Sequence, residues 1–408
     1  MRQWLRRWWP ALLLGVATIG AYGTAYYSLS VLIPAITRDT GWSTGAVSGG
    51  FSLAMLSQGG LALLSGRILD RRGSRAVLLP ALALGSALLL LASFAETAGQ
   101  FVLAWAAGGA VIGGGLYYNV TMPLTARLFP GNRVAAFSIL TLLGALSSPI
   151  FYPLVAWLIE ELGWRAALRV LVMVSAACVL PSAVFIQSRP AQRAETRLAA
   201  GRGLVAALKE PVVRQALIVF GLAAFANSAL LLHQVSVMQA AGLSLAAASG
   251  FAGARGFFQI PGRLALSPLT RRLGVRGTMA VCYAFAATAG LALMLSLAGE
   301  AAWLLAGYFA VVGGASLGLL SPLNGLFQAE VFGDERLGTL SGVNVLVVSI
   351  AGAAGAWSAG LAVDLTGTYT LPLAIAALIQ AIAIIQLRRG EVPSGGGAVV
   401  SRAAGVLE

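Results

Sequence analysis

Two arginines and a glutamine recur at four-residue intervals inside one long apolar stretch, residues 244–269. Arg255, Gln259 and Arg263 would therefore follow one side of a helix, drifting by about 40° per step. Arginine binds a carboxylate through two parallel hydrogen bonds. Arg255 lies near the middle of the stretch, too far from either end for its side chain to reach the membrane surface. If this side of the helix faces a wet cavity, it would attract an organic acid.

The acidic residues are placed differently. All 14 Asp and Glu fall in predicted loops or at the ends of apolar stretches, so no carboxylate is available at mid-membrane for a proton or a cationic substrate. His233 is the only histidine and the candidate for proton coupling, because imidazole titrates near neutral pH. Two structural alternatives stay open: Arg263 could extend towards the nearby membrane edge, and His233 could be a neutral, packed side chain.

Tyrosines and asparagines within other apolar stretches are candidates for orienting such an acid. Their side chains can donate or accept hydrogen bonds, and tyrosine rings can cover the apolar part of a small molecule. For each one singly, helix packing is the competing interpretation. Such side chains are Tyr22, Tyr26 and Tyr27 in the first span and Tyr117, Tyr118, Asn119 and Asn324 in the fourth and tenth. The predicted substrate-binding residues among them are Tyr26, Tyr117, Tyr118, Asn119 and Asn324.

The composition says which elements hold these residues. Of 408 residues, 58% are hydrophobic and only 10% are charged, where soluble domains have about 25% charged residues. An all-α membrane protein is therefore predicted, with little chain left for a soluble catalytic or nucleic-acid-binding domain. The twelve predicted spans are 10–36, 43–69, 75–95, 100–128, 134–159, 165–187, 212–241, 244–269, 277–298, 301–330, 337–363 and 368–387.

The basic residues predict the orientation. The formal net charge is +13, and cytoplasmic loops of membrane proteins concentrate Lys and Arg. With both termini in the cytoplasm, only Arg38, Arg165 and Arg169 fall on the outer side and Arg255 and Arg263 within a span. The charge therefore indicates topology and not nucleic-acid binding.

The chain also shows an internal duplication. The segment GGAVIGGGLYYN (108–119) matches GGASLGLLSPLN (313–324), which makes Asn119 and Asn324 equivalent. Duplicated halves around a midplane cavity are typical of transporters. We predict an N-terminal six-helix bundle (1–187), a cytoplasmic linker (188–211), a C-terminal six-helix bundle (212–390) and a flexible tail (391–408).

A loop motif carries the first resemblance. After the second span stands GRILDRRGSR (66–75), and a degraded copy, SPLTRRLGVR (267–276), follows the eighth. The motif resembles the loop 2–3 signature of the major facilitator superfamily, which implies twelve helices in two pseudo-symmetric six-helix bundles. In that family the loop acts as a gate latch. The resemblance gives this gating role to Gly66, Asp70, Arg71, Gly73 and Arg75.

Two longer segments narrow the resemblance. Residues 233–267 and 116–165 are similar to the monocarboxylate transporter and oxalate:formate antiporter-like families. Arg263 occupies the place of the family arginine that binds the substrate carboxylate. Gln259 stands where the animal carriers have an aspartate that takes part in proton coupling, and the only lysine, Lys209, lies in the central loop. Proton symport by the family's usual pair is therefore not expected.

The predicted function is secondary transport of a small organic anion, such as a monocarboxylate, by symport or antiport in a bacterial inner membrane. The predicted partners are this anion, a co-transported proton and the lipid bilayer, with the chain acting as a monomer. No cofactor, metal, nucleic acid or enzymatic activity is expected. The alternatives are a multidrug or other small-molecule efflux transporter of the same superfamily and, from another class, a channel or an intramembrane enzyme.

Overall fold

The computed structural model describes residues 2–188, 207–299, 301–333 and 336–389, and nearly all of this part of the chain is helical. A π-helical turn, Gly23–Tyr27, separates the first two α-helices. The α-helices are α1 Arg2–Tyr22, α2 Ser28–Thr40, α3 Thr44–Arg72, α4 Arg75–Ala92, α5 Ala98–Leu116, α6 Tyr118–Leu128, α7 Arg133–Ala145, α8 Ser147–Phe185, α9 Pro211–Ala240, α10 Leu245–Phe257, α11 Gln259–Leu264, α12 Leu266–Ser296, α13 Ala302–Phe332, α14 Leu337–Thr366 and α15 Thr370–Arg389.

The predicted spans are found in these helices. Within the described ranges, 10 helices are long and apolar enough to cross a membrane. One of them, residues 133–185, contains two predicted spans joined at Gly163, where φ is 75°. The predicted span 244–269 is divided among α10, α11 and the start of α12. The prediction of an all-α polytopic membrane protein is confirmed.

Most of the predicted linker and all of the predicted tail lie in parts of the chain that the structure does not describe. Residues 189–206 of the linker 188–211, and the whole tail 391–408, lie outside the described residues. The division into bundles 1–187 and 212–390 therefore stays a prediction. Below, α1–α8 are called the N-terminal helices and α9–α15 the C-terminal helices.

The two sets of helices meet mainly near one side of the protein. We call the side where α1 begins and α15 ends the terminal face, and the other side the opposite face. Across the two sets α3 packs on α14, α2 on α9 and α8 on α10. Asp364, at the end of α14, accepts hydrogen bonds of 2.8 Å from the backbone N–H groups of Thr44 and Gly45. It thereby caps the N-terminus of α3 across the interface, where the helix dipole favours a negative charge.

Further contacts between the two sets lie at the depth of Asp364 or nearer the middle of the membrane. The amide of Gln234 in α9 donates a hydrogen bond of 2.5 Å to the Tyr152 hydroxyl in α8. In the described part of the chain, every hydrogen bond between the two sets lies between mid-membrane and the opposite face. The interface is therefore closed on this side.

The closure depends on a close approach of α3 to α14 at Gly360. A Cβ added there would lie 2.9 Å from the Gly45 Cα atom and 2.9 Å from the Ser48 hydroxyl oxygen. Real Cβ atoms do not approach other atoms so closely, and the first of these is a backbone atom that moves only with its helix. Glycine is thus required for the two helices to meet as they do.

We expect Gly360→Ala to lower the apparent melting temperature of the purified protein in detergent. The added methyl group forces the helices apart, and overpacking of this kind costs about 1–3 kcal/mol. Gly49→Ala is the matched control, because its Cβ would lie 3.8 Å from the nearest atom, in Trp357. Equal melting temperatures for the two variants would contradict the close approach.

Candidate functional site

A cavity of about 500 Å³ lies between the N-terminal and C-terminal helices. Its lining residues lie near the middle of their helices or between the middle and the terminal face, so the contacts described above close it on the opposite face. The N-terminal helices contribute Tyr22, Tyr26, Tyr27, Tyr118, Gly144 and Ala145, and the C-terminal helices contribute Phe220, Ala223, Ala224, Asn227, Leu231, Gln259, Arg263, Tyr283, Leu317, Leu320, Ser321, Asn324, Asn344, Val345, Val348 and Ser349.

The lining from the N-terminal helices is aromatic, and we call its four tyrosines, Tyr22, Tyr26, Tyr27 and Tyr118, the tyrosine wall. Tyr26 and Tyr27 belong to the π-helical turn, a feature frequent at functional sites. Their ring centroids are 5.2 Å apart with planes at 89°, an edge-to-face contact. Tyr22 lies 5.3 Å from Tyr118 between ring centroids. The four rings thus form one continuous surface.

Two predicted binding residues next to this wall do not line the cavity. Tyr117 is buried and stacks on Tyr22, with ring centroids 3.8 Å apart, so it supports the wall from behind. Asn119 donates a hydrogen bond of 2.7 Å from its amide to the Gly114 carbonyl oxygen. The break between α5 and α6 at Tyr117 leaves that carbonyl in need of a donor. Tyr118, at the start of α6, does line the cavity.

The lining from the C-terminal helices contains the larger polar side chains of the cavity among apolar ones, and we call Asn227, Gln259, Arg263, Tyr283, Asn324 and Asn344 the polar wall. These residues come from five consecutive predicted spans. Three of them, Gln259, Arg263 and Asn324, are predicted binding residues that the structure brings together with Tyr26 and Tyr118 around one cavity.

Helix α11 places Gln259 and Arg263 in this wall. It is a short segment between Phe258, which follows the end of α10, and Ala265, which precedes the start of α12. Glycines of α13 let the backbone of this span come close: a Cβ at Gly318 would overlap the carbonyl oxygen of Gln259. Interrupted helices beside a midplane cavity are a common way to build a transport site.

Arg263 is partly buried at the cavity and has no acidic neighbour among the residues that the structure describes. In the described part of the chain no carboxylate oxygen lies within 4 Å of its guanidinium, and the structure gives it no hydrogen bond. A buried charge without a partner is costly, so a cation held here favours an anion in the cavity. Arg263 thus lines the cavity without an acidic partner among the described residues, and its role in binding a substrate carboxylate stays a prediction.

Arg255 is placed differently from its prediction. Its side chain is buried among the C-terminal helices and does not line the cavity. One guanidinium nitrogen donates to the Gln234 amide oxygen at 3.2 Å and another to the Asn227 amide oxygen at 3.3 Å. The guanidinium also lies 4.9 Å from the ring centroid of Phe309. The predicted stripe thus faces the cavity at Gln259 and Arg263 only, because the helix is broken at Phe258.

Several cavity residues were not among the predicted binding residues. Tyr22 and Tyr27 flank Tyr26 in the same span, and the clustering of three tyrosines is a signal for them. Asn227 and Asn344 are amides inside apolar stretches, as Asn324 is, but they lack the repeat equivalence that singled out Asn324. Tyr283 has no such signal, because a lone tyrosine in a span is an ordinary packing residue.

His233 lies outside the cavity, in the closed interface near the opposite face. It is 2% exposed. Its Nε2 atom is 3.0 Å from the Ala356 carbonyl oxygen in α14 and 3.5 Å from the Ser48 hydroxyl in α3. Its ring centroid lies 5.9 Å from that of Tyr369. Its role in proton coupling stays a prediction.

The predicted gating motif forms the turn between α3 and α4 at the terminal face. Asp70 forms an ion pair with Arg127 at the end of α6. Arg75 donates to the Val184 carbonyl oxygen near the end of α8. The motif thus ties neighbouring N-terminal helices together, and its gating role stays a prediction.

The other three residues of the motif shape or flank this turn. Gly73 makes the turn itself, with φ of 83°. Arg71 is exposed at the end of α3. A Cβ added at Gly66 would meet no atom within 4 Å, so no close helix approach depends on this glycine in the described conformation.

Comparison with known sequences gives the family. The model of the Major Facilitator Superfamily matches residues 14–356, most of the chain. A curated relative from Bacillus subtilis (strain 168), the uncharacterized MFS-type transporter YcxA, is 24% identical over 358 residues, covering 84% of this chain and 85% of the relative.

Solved structures show the same fold. A point mutant of the nucleoside transporter NupG is similar with a TM-score of 0.82 at 12% identity, covering 94% of this chain and 99% of that one. The xylose transporter XylE from E. coli, in an inward open conformation, has a TM-score of 0.70 at 15% identity, covering 97% and 98% of the two chains. The helices, the central cavity and the family match agree, and the chain belongs to the major facilitator superfamily of transporters.

Proposed function

We propose that the protein is a secondary transporter of a small organic anion, with a monocarboxylate as the simplest cargo. The single observation that carries this proposal is the position of Arg263 at the central cavity with no carboxylate of the described residues beside it. A carboxylate can accept two parallel hydrogen bonds from one guanidinium and also neutralises its charge, which a neutral sugar or a cation cannot do.

The charge also suggests how cargo drives the transport cycle. Closing the cavity around an unpaired guanidinium removes it from water, which costs several kcal/mol. A bound carboxylate offsets this cost, so closure is easier with cargo than without. The bonds that Asp364 makes to α3 and the bond between Gln234 and Tyr152 then break when the opposite face opens. With the predicted orientation, the described conformation faces the cytoplasm.

Arg255 acts in this proposal as a positioning residue. Its hydrogen bond holds the Asn227 side chain, which lines the cavity. For Arg255 to bind the cargo carboxylate directly, as the sequence predicts, its bonds to Asn227 and Gln234 would have to exchange for bonds to the cargo. The two arginines therefore differ in what their removal should do.

We expect Arg263→Gln to abolish the thermal stabilisation of the purified protein by organic acids and to reduce their uptake into proteoliposomes at least about tenfold. Loss of one charge-assisted pair, worth about 1.5–3 kcal/mol, corresponds to that factor or more. Arg263→Lys should keep part of the effect, since it keeps the charge but not the paired hydrogen bonds.

Two further variants serve as controls. Arg214→Gln removes an exposed arginine of α9 and should leave stabilisation by acids unchanged. Arg255→Gln should lower the melting temperature of the empty protein but keep a shift with acids. If neutral nucleosides, xylose or drug-like compounds stabilise the protein best, and Arg263→Gln does not matter, a neutral-cargo transporter or the efflux alternative replaces the organic-anion proposal.

We also propose that His233 couples transport to protons through the closed interface and not by touching cargo. Its titratable neighbours are Tyr369 and, at longer range, Asp364. A proton gained or lost here changes the bond to the Ala356 carbonyl at the contact between α9 and α14.

We expect His233→Gln to transport organic acids with a rate that depends less on pH than that of the unmodified protein, because glutamine cannot gain or lose a proton at this contact. Glutamine keeps a donor for the Ala356 carbonyl, so the fold should be retained. Uptake is measured in proteoliposomes at matched internal and external pH. A pH profile identical to that of the unmodified protein would remove His233 from the coupling mechanism.

A further inference from the structure

The size of the cavity is the first indication of what the cargo is. Its volume of about 500 Å³ lies within the range of about 300–1,000 Å³ that pockets for larger organic ligands have. An acid of two or three carbons would leave most of this space to water. The cavity therefore has room for an acid with a substantial second part.

The tyrosine wall indicates that this second part is flat and aromatic. Aromatic rings attract one another most in offset-stacked or edge-to-face arrangements with centroids about 4.5–7 Å apart. The four rings already adopt such contacts among themselves. Tyr117, stacked behind Tyr22, fixes one of them from the protein side. An aromatic cargo can continue this pattern, whereas an alkyl chain gains only from burial.

The polar wall indicates that the ring carries a hydrogen-bond donor. Three buried atoms of this wall have no hydrogen-bond partner among the described residues: the Tyr283 hydroxyl, the Asn324 amide oxygen and the Asn344 amide oxygen. The two asparagine side chains line the cavity, and rotation of the terminal amide group turns its oxygen from this shielded position towards a cargo. An amide oxygen accepts hydrogen bonds only, so each of the two asparagines lacks a donor. Leaving such groups unpaired is unfavourable, and a hydroxyl or amino group on the cargo would satisfy one of them.

We propose that the cargo is an aromatic monocarboxylic acid whose ring bears a hydroxyl or amino group. Its carboxylate pairs with Arg263, its ring lies against the tyrosine wall, and its donor bonds to Asn324 or Asn344. This inference rests on the proposed function and adds two requirements to it, the flat ring and the donor.

The test measures dissociation constants of matched acids with the purified protein. Benzoate should bind about 3- to 10-fold more tightly than cyclohexanecarboxylate, which has the same carboxylate and number of carbons but no flat ring. At least one of the three monohydroxybenzoates should bind about 5-fold more tightly than benzoate, because its hydroxyl group adds a hydrogen bond to the protein.

Asn324→Leu and Asn344→Leu test which asparagine accepts the hydrogen bond from the donor on the cargo. In one of them, or in the double variant, the ratio of the affinity for the best hydroxybenzoate to the affinity for benzoate should fall to about one, whatever the change in the affinity for benzoate itself. Benzoate binding itself shows that the variant is folded. A full hydroxybenzoate advantage in the double variant would overturn the assignment of the donor.

The outcomes separate this inference from the proposed function. If cyclohexanecarboxylate binds as tightly as benzoate, and Arg263→Gln abolishes both, the organic-anion function stands and the aromatic cargo is wrong. If neither acid binds, nor any hydroxybenzoate, both proposals fail together. Binding of benzamide as tightly as benzoate would also contradict both, because benzamide has the ring but no charge.

Discussion

A positive charge that no carboxylate of the described residues neutralises is the constraint on which the proposed transport mechanism depends. Arg263 lines a cavity in a membrane protein, and no acid of the described residues pairs with it. Such a charge is tolerated while the cavity holds water and becomes costly when the cavity closes. A bound anion would neutralise the charge of Arg263 and so lower the cost of closing the cavity. Binding would thereby be linked to the change of conformation.

Interruptions of the helices place the groups around this charge. A π-helical turn carries Tyr26 and Tyr27, a break at Tyr117 precedes Tyr118, and α11 is a separate short segment that carries Gln259 and Arg263. In lipid, backbone groups freed by such breaks need partners or water. The breaks are therefore placed beside the cavity, where side chains and water can satisfy those groups.

Much of this arrangement could be predicted from the sequence, because it depends on simple spacing and on the cost of polar groups in a membrane. The apolar stretches predicted the helices, and the four-residue interval predicted the shared orientation of Gln259 and Arg263. The same interval did not place Arg255 at the cavity, because it assumes one continuous helix, whereas α10 ends at Phe257. The sequence signal for this break is Pro261, which has no N–H to donate to the Phe257 carbonyl. Bonds to Gln234 and Asn227, distant in sequence, then fix the Arg255 side chain.

The internal duplication was similarly informative about the fold and less so about the site. Asn119 and Asn324 are equivalent in the repeat, yet Asn324 lines the cavity and Asn119 bonds to the Gly114 carbonyl. The difference follows from the break between α5 and α6, which has no counterpart in the continuous α13. Equivalent positions share a helix and a depth but not their local backbone, so repeat symmetry alone does not assign a binding residue.

The most direct test of the central claim is an experimental structure of the protein with a stabilising organic acid bound. We expect the carboxylate at Arg263, with its oxygens about 2.7–2.9 Å from the guanidinium nitrogens. An acid bound away from Arg263, or an Arg263 side chain paired with an aspartate or glutamate of the protein itself, would contradict the claim.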